Sequence, residues 1–204
     1  PGEIAAEITH NLDLLAGQSR NVHTRHQSIR ATFEHSWQLL SEQEQRHLRQ
    51  LSVFVGGFTR QAAQAVIGIG LSRLVSLVDK SLLHYREGGR YQSHPLLWQF
   101  AREKLAAHPD ELKAVGHQHA SYYLELAELA DAKLDGPKHI EGFEILTREV
   151  PNLRAALNWC QEHDDLEIGL GLLTTLEDFW IRSNDFLMTE ILDVFEHFQN
   201  LGIP

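Results

Sequence analysis

Three observations predict a mostly α-helical chain carrying one small β-hairpin. Apolar residues recur at helical spacing along almost the whole sequence. Two short β-like runs, Leu82 to Tyr85 and Arg90 to Gln92, flank the turn-forming Glu87-Gly88-Gly89. No strand pattern follows Gln92, and the later helices are joined by short turns, as in an α-solenoid or bundle. The order helix, hairpin, helix over Leu71 to Leu105 is that of the wing end of a winged-helix module.

Each element has its own local reason. Ile4, Ala5, Ile8, Leu12 and Leu15 predict a first helix, broken by Gly17-Gln18-Ser19. A second carries Ile29, Phe33, Trp37 and Leu40 on one face. Ser41 and Glu44 form an S-x-x-E capping box opening a third helix, SEQEQRHLRQLSVF, which Gly56-Gly57 terminates. Thr59 is placed to cap a short helix over Gln61 to Ile67. Leu71, Leu74, Val75 and Val78 mark the next helical face. After the hairpin, Pro95 suits a first helical turn, where its missing N–H is no loss. Leu96, Leu97, Phe100, Ala101 and Leu105 follow on that helix.

His108-Pro109-Asp110 reads as a break between two units. Val115 to Leu134 is helical, Gly136-Pro137 interrupts, and further faces run from Phe143 to Trp159. Leu166 to Ile181 and Phe186 to Phe198 read as an antiparallel pair turning near Asn184-Asp185.

The 204 residues, 43% apolar and 23% charged, suit a globular protein with a sizeable core. No run approaches the ~20 apolar residues needed to span a bilayer, and the N-terminus lacks a basic, apolar signal sequence. One cysteine, Cys160, excludes an internal disulfide, so the cytoplasm is the expected location. The start without Met and the ending NLGIP suggest a piece of a longer protein.

The net charge of −10 is unevenly spread. Asn21 to Ala107 holds 11 Lys and Arg against 6 Asp and Glu, whereas His108 to Pro204 holds 6 against 19. A basic unit suits phosphates and an acidic one repels them.

Three segments carry a family likeness: RHQSIRATFEHSWQLLSEQEQRHLRQLSVFVGGFT (Arg25 to Thr59), LVDKSLL (Leu77 to Leu83) and EVPNLRAALNW (Glu149 to Trp159). Together, and in this order, they resemble the STAND class of signal-transduction NTPases, especially AfsR-like and LuxR-type ATPases and transcriptional regulators. The resemblance implies a winged helix followed by tetratricopeptide-like repeats, downstream of a nucleotide-binding core. It divides the chain into the tail of a helical subdomain (1–20), a winged-helix domain (21–108) and a helical-repeat domain (109–204). The sequence contains no G-x-x-x-x-G-K-S/T loop and no apolar run ending in paired acids for magnesium, so no catalysis and no bound cofactor are expected of this stretch. ATP or ADP is expected only of a full-length protein.

His94 is the sharpest candidate. In related NB-ARC switches a Met-His-Asp motif ends the winged helix, and its His resembles a sensor of the ADP β-phosphate. Ser93-His94-Pro95 occupies that place here, followed by Leu96-Leu97, with only the His shared. A ring N–H at a helix N-terminus is chemically suited to an anion; the plainer alternative is a His that merely caps the hairpin exit. A DNA-reading alternative uses Leu71 to Ser81 as recognition helix, with Arg73 and Lys80 outward and Arg86 and Arg90 on phosphates. One base-reading Arg and an acidic second half weigh against DNA contact.

His117 and His119, two apart on a helix, diverge by ~200° and do not share a metal. His23 and His26 lack partners at ligand spacing. Arg25-His26-Gln27-Ser28 reads equally as a hinge or as an N-cap by Ser28. Trp37, Trp98, Trp159 and Trp180 lie on apolar helical faces and read as packing. Cys160 has no nearby base, and Glu162, Asp164, Asp165 and Glu167 read as a solvated turn, with an acidic protein-binding surface as the alternative. The expected partners are an NTPase core upstream and a protein or small-molecule inducer on the helical array. The second functional reading is a free-standing winged-helix DNA binder with a helical dimerisation domain.

Overall fold

The computed structural model describes residues 30–183 and 193–198. The expected first helix, the Arg25 to Ser28 segment, His23 and the turn at Asn184-Asp185 lie outside the described residues. The fold is mostly helical with one small antiparallel sheet. The chain forms two compact units, Pro1–Gln45 and Arg46–Pro204.

In the first unit, residues 30–38 form α1. The capping box then opens α2 (Glu42–Gln50). The Ser41 backbone N–H donates to Glu44 Oε2 at 3.0 Å, and the Glu44 N–H donates to Ser41 Oγ at 3.3 Å. Each side chain thus satisfies an orphan donor, as the spacing predicts.

In the second unit, the helix read through to Phe54 ends earlier, at Gln50. A 3₁₀ turn, Leu51–Val53, replaces its last stretch and buries all three residues. Gly56 and Gly57 follow at φ +77° and +92°, a region L-residues with a Cβ avoid. Strand β1 (Phe58–Thr59) has no sequence signal of its own, being two residues long. Thr59 caps α3 (Arg60–Ile67), its Oγ1 accepting the Ala62 N–H at 3.1 Å.

Helix α4 (Leu71–Asp79) buries Leu74 and Leu77. Leu71 and Val75, expected on that inward face, are 45% and 46% exposed. Strands β2 (His84–Arg86) and β3 (Arg90–Gln92) form the expected hairpin. β3 is the central strand, pairing β2 on one side and β1 on the other, with Phe58 opposite Tyr91 and Arg86 opposite Arg90. Pro95 is the first residue of α5 (Pro95–Ala106).

Two long helices follow, α6 (Pro109–Leu134) and α7 (His139–His163), packed against each other. Pro151 sits inside α7. The single helix expected from Leu166 to Ile181 is two, α8 (Leu166–Thr175) and α9 (Glu177–Ser183), interrupted at Leu176. Residues 193–198 are helical.

At the expected break, only Ala107 and His108 separate α5 from α6, and the packing runs across this junction. α6 packs against α3, α5 and the 3₁₀ turn as well as α7 and α8. Phe54, Leu105, Tyr123, Leu146 and Leu153 are all essentially inaccessible to solvent. No single described helix is long and apolar enough to cross a membrane.

Candidate functional site

One concavity of the second unit is a cleft of about 430 Å³ between the hairpin, the 3₁₀ turn and α5. Its apolar wall is built from Leu48, Leu51, Phe54, Phe58, Leu83 and Trp98. Its polar rim carries His84, Arg86, Gln92 and His94. The hairpin register sets two of these across from one another, His84 facing Gln92.

His94 is exposed at the exit of β3 and is the N-cap of α5. Its Nδ1 accepts the Leu96 N–H at 3.3 Å. That bond makes Nδ1 the acceptor, so in the neutral ring Nε2 carries the proton and remains the ring's donor. Capping and ligand sensing, set against each other by the sequence, are therefore compatible: each uses a different nitrogen.

The other sequence candidates separate. Arg86 is exposed and lines the same cleft. Arg73 and Lys80 are exposed on and just after α4 and do not line it. Arg90 is a correction, because it is only 8% exposed and its charge is already taken. Its guanidinium forms a two-pronged pair with Glu149 of α7, through Nη1 to Oε1 and Nη2 to Oε2. Nη2 also donates to the Gly57 carbonyl at 2.8 Å. A phosphate has no access to a guanidinium held this way.

That pair belongs to a buried network which sequence reasoning missed. Asn152, fully buried one turn after Glu149, donates through Nδ2 to Gly57 O at 3.0 Å and to Glu149 Oε2 at 2.8 Å. Its Oδ1 accepts the Val55 N–H at 2.7 Å. The Tyr123 hydroxyl of α6 donates to Glu149 Oε2 at 3.3 Å. Burial, reinforced by the Glu149 carboxylate, pushes the Tyr123 phenol far above its ordinary range, so it stays protonated and donates. Trp98 Nε1 donates to Phe54 O at 2.9 Å from the other side. The turn that forms the cleft floor is thus held by α5, α7 and β3 together. The only sequence signal for this was the N-and-E pattern in EVPNLRAALNW, whose burial no periodicity reveals.

His119 completes the surroundings. It lies against Phe54 and Tyr123, with ring centroids 5.3 and 4.6 Å away. Burial lowers its pKa from 6.5 to about 4, the Asn152 side chain opposing and Arg102 adding slightly. His117, two residues earlier, is exposed beside Trp159 and 3.7 Å from Asp165, so the pair diverges as the helical angle requires. Among the described residues no group of three or more His, Cys, Asp or Glu is placed to hold a metal. Cys160 is fully buried and burial pushes its thiol up to about 12, which makes it a poor nucleophile. Asp165 caps α8 through Ile168 N–H at 3.3 Å.

Comparison with known proteins gives two kinds of relative. A Mycobacterium tuberculosis protein named as a putative HTH-type transcriptional regulator is 34% identical over 194 residues, 88% of this chain and 21% of that protein. Its Mycobacterium bovis counterpart matches with the same figures. An uncharacterized Mycobacterium tuberculosis protein is 34% identical over 117 residues, 52% of this chain and 30% of that protein. No protein-family model matches the chain, and no solved structure does. The chain spans about a fifth of the length of the regulators it matches. Over most of its residues it is similar to a part of proteins named as transcriptional regulators.

Proposed function

We propose that this chain is the regulatory and scaffolding part of a STAND-type ATPase or transcriptional regulator. In this reading residues 21–108 form a winged helix that latches onto a nucleotide-binding core, and residues 109–204 begin a tetratricopeptide-like array. The ADP-bound core holds the latch; exchange for ATP weakens that contact and shifts the population toward the released form. The array receives an inducer or a protein partner and biases the same equilibrium. The chain itself does no chemistry, the nucleotide belongs to the full-length protein, and the setting is cytoplasmic.

The observation that carries this reading is His94. It caps α5 with one ring nitrogen and keeps the other as a donor at the rim of a cleft, beside Arg86. The similarity to proteins named as regulators supports the coarser part of it. The test restores the full-length protein and measures ADP affinity in His94→Ser. Serine keeps a capping oxygen but loses the ring donor. A fall in ADP affinity of about tenfold, the worth of a charge-assisted hydrogen bond, supports the latch; unchanged affinity removes it.

The name of the relatives, HTH-type, favours one second reading: a winged-helix DNA binder with a helical dimerisation domain. Exposed Arg73, Lys80 and Arg86 would then meet the duplex, without Arg90. A gel shift that weakens steeply with salt and is lost in the Arg73→Ala/Lys80→Ala double variant would establish it; no shift at micromolar protein would remove it.

A further inference from the structure

Buried polar residues are an expensive way to join two elements, since apolar residues of the same shape serve stability as well or better. Here the expense is concentrated at one place. Glu149 and Asn152 from α7 meet Arg90 from β3 and the backbone of Val55 and Gly57, and every donor and acceptor named finds a partner. Gly57 O accepts from both Arg90 and Asn152. A Cβ on Gly57 would lie 2.8 Å from Tyr91 O, so the turn is also pressed against β3 with no slack.

The same backbone has a second face. Val55, Gly56, Gly57 and Gln92 line the cleft whose rim carries His94. One turn is therefore shared: α7 grips it from behind while the cleft is shaped by its front. We infer that Glu149 and Asn152 are positioning residues through which the helical array and the cleft control one another. A partner that shifts α7 alters the cleft floor, and a group seated in the cleft alters the grip on α7. Reciprocity follows from linkage, since both events bias the same turn. The regulatory meaning of this coupling rests on the latch reading above; its physical content does not.

The test uses the 204-residue chain without nucleotide. Amide and indole hydrogen exchange is measured in the native protein, in Asn152→Ser and in Glu149→Gln. The Val55 N–H loses its acceptor in Asn152→Ser and exchanges about tenfold faster in any case. The discriminating reporter is the Leu96 N–H, held by the His94 ring at the cleft rim. The Trp98 indole N–H bonds Phe54 O, in the same peptide group as the Val55 N–H, and so reports the local loss. Coupling predicts that the Leu96 N–H accelerates at least threefold while the amides of α8 keep their native rates. Acceleration confined to Val55 and Trp98 overturns the inference and leaves a local packing contact. Should Asn152→Ser not fold, Glu149→Gln, which keeps the side-chain shape, decides by the same reporter. A second arm measures ADP affinity of full-length Asn152→Ser; if His94→Ser leaves affinity unchanged, the latch reading fails while the exchange result still stands or falls alone.

Discussion

Arg86 and Arg90 face each other across the β2–β3 hairpin, three turn residues apart, and meet opposite fates. Arg86 is exposed at the rim of the cleft. Arg90 is buried and gripped by Glu149, which lies 59 positions away in the sequence. The difference comes from what α6 and α7 bring to one strand and not to the other. The Glu149 carboxylate, itself bonded by the Asn152 carboxamide and the Tyr123 phenol of α6, reaches Arg90 of β3, while β2 faces water along its length. Identical side chains in one hairpin thus serve different ends: one is a joint, the other a surface.

The sharpest way to break this contrast is to remove the joint's anion. Glu149→Ala leaves the Arg90 charge buried and unpaired, and should cost ~3–5 kcal/mol in urea denaturation. Acid probes the apolar side of the same joint. His119 is neutral when folded because its pKa, about 4, lies below the ordinary 6.5. Above pH 6.5 both folded and unfolded chains hold it neutral and stability is full. Between pH 6.5 and 4 the unfolded chain takes up a proton that the folded one refuses, so stability falls. The loss should be on the order of 3 kcal/mol, and His119→Phe should remove that part of the slope between pH 7 and 5.

A smaller effect is expected at the shared turn. Gly57→Ala puts a Cβ at φ +92° against Tyr91 O and Gln92 Cγ, and should cost roughly 1–3 kcal/mol by thermal denaturation. Least of all, Arg86→Ala should change stability by no more than about 0.5 kcal/mol. A large loss there would mean that the rim is also structural.

Local chemistry was readable from the sequence wherever its cause is local. The Ser41–Glu44 box, the Thr59 cap, Pro95 at a helix start and the hairpin turn each depend on residues within four positions, and each stands where its spacing placed it. The helical content followed from periodicity in the same way. What escaped depends on distant partners. β1 exists because β3 offers it a ladder, not because Phe58-Thr59 has a strand pattern. Leu71 and Val75 carry the right period but lie outside the stripe that Leu74 and Leu77 bury. Arg90 looks solvent-seeking until a helix 59 residues later supplies its counter-charge. His94 was found because a family motif marks its place, while Glu149 and Asn152 were visible only as part of a likeness.

Arg90 and Glu149 form one coupled joint between the hairpin and α7. A double-mutant cycle of Arg90→Met and Glu149→Leu, read by urea denaturation of the 204-residue chain, measures it. Either single change leaves a buried charge alone, whereas the double variant leaves none. A coupling of about 2 kcal/mol or more, with the double variant recovering most of the lost stability, is the expected result. Single effects that add to within about 0.5 kcal/mol would contradict it.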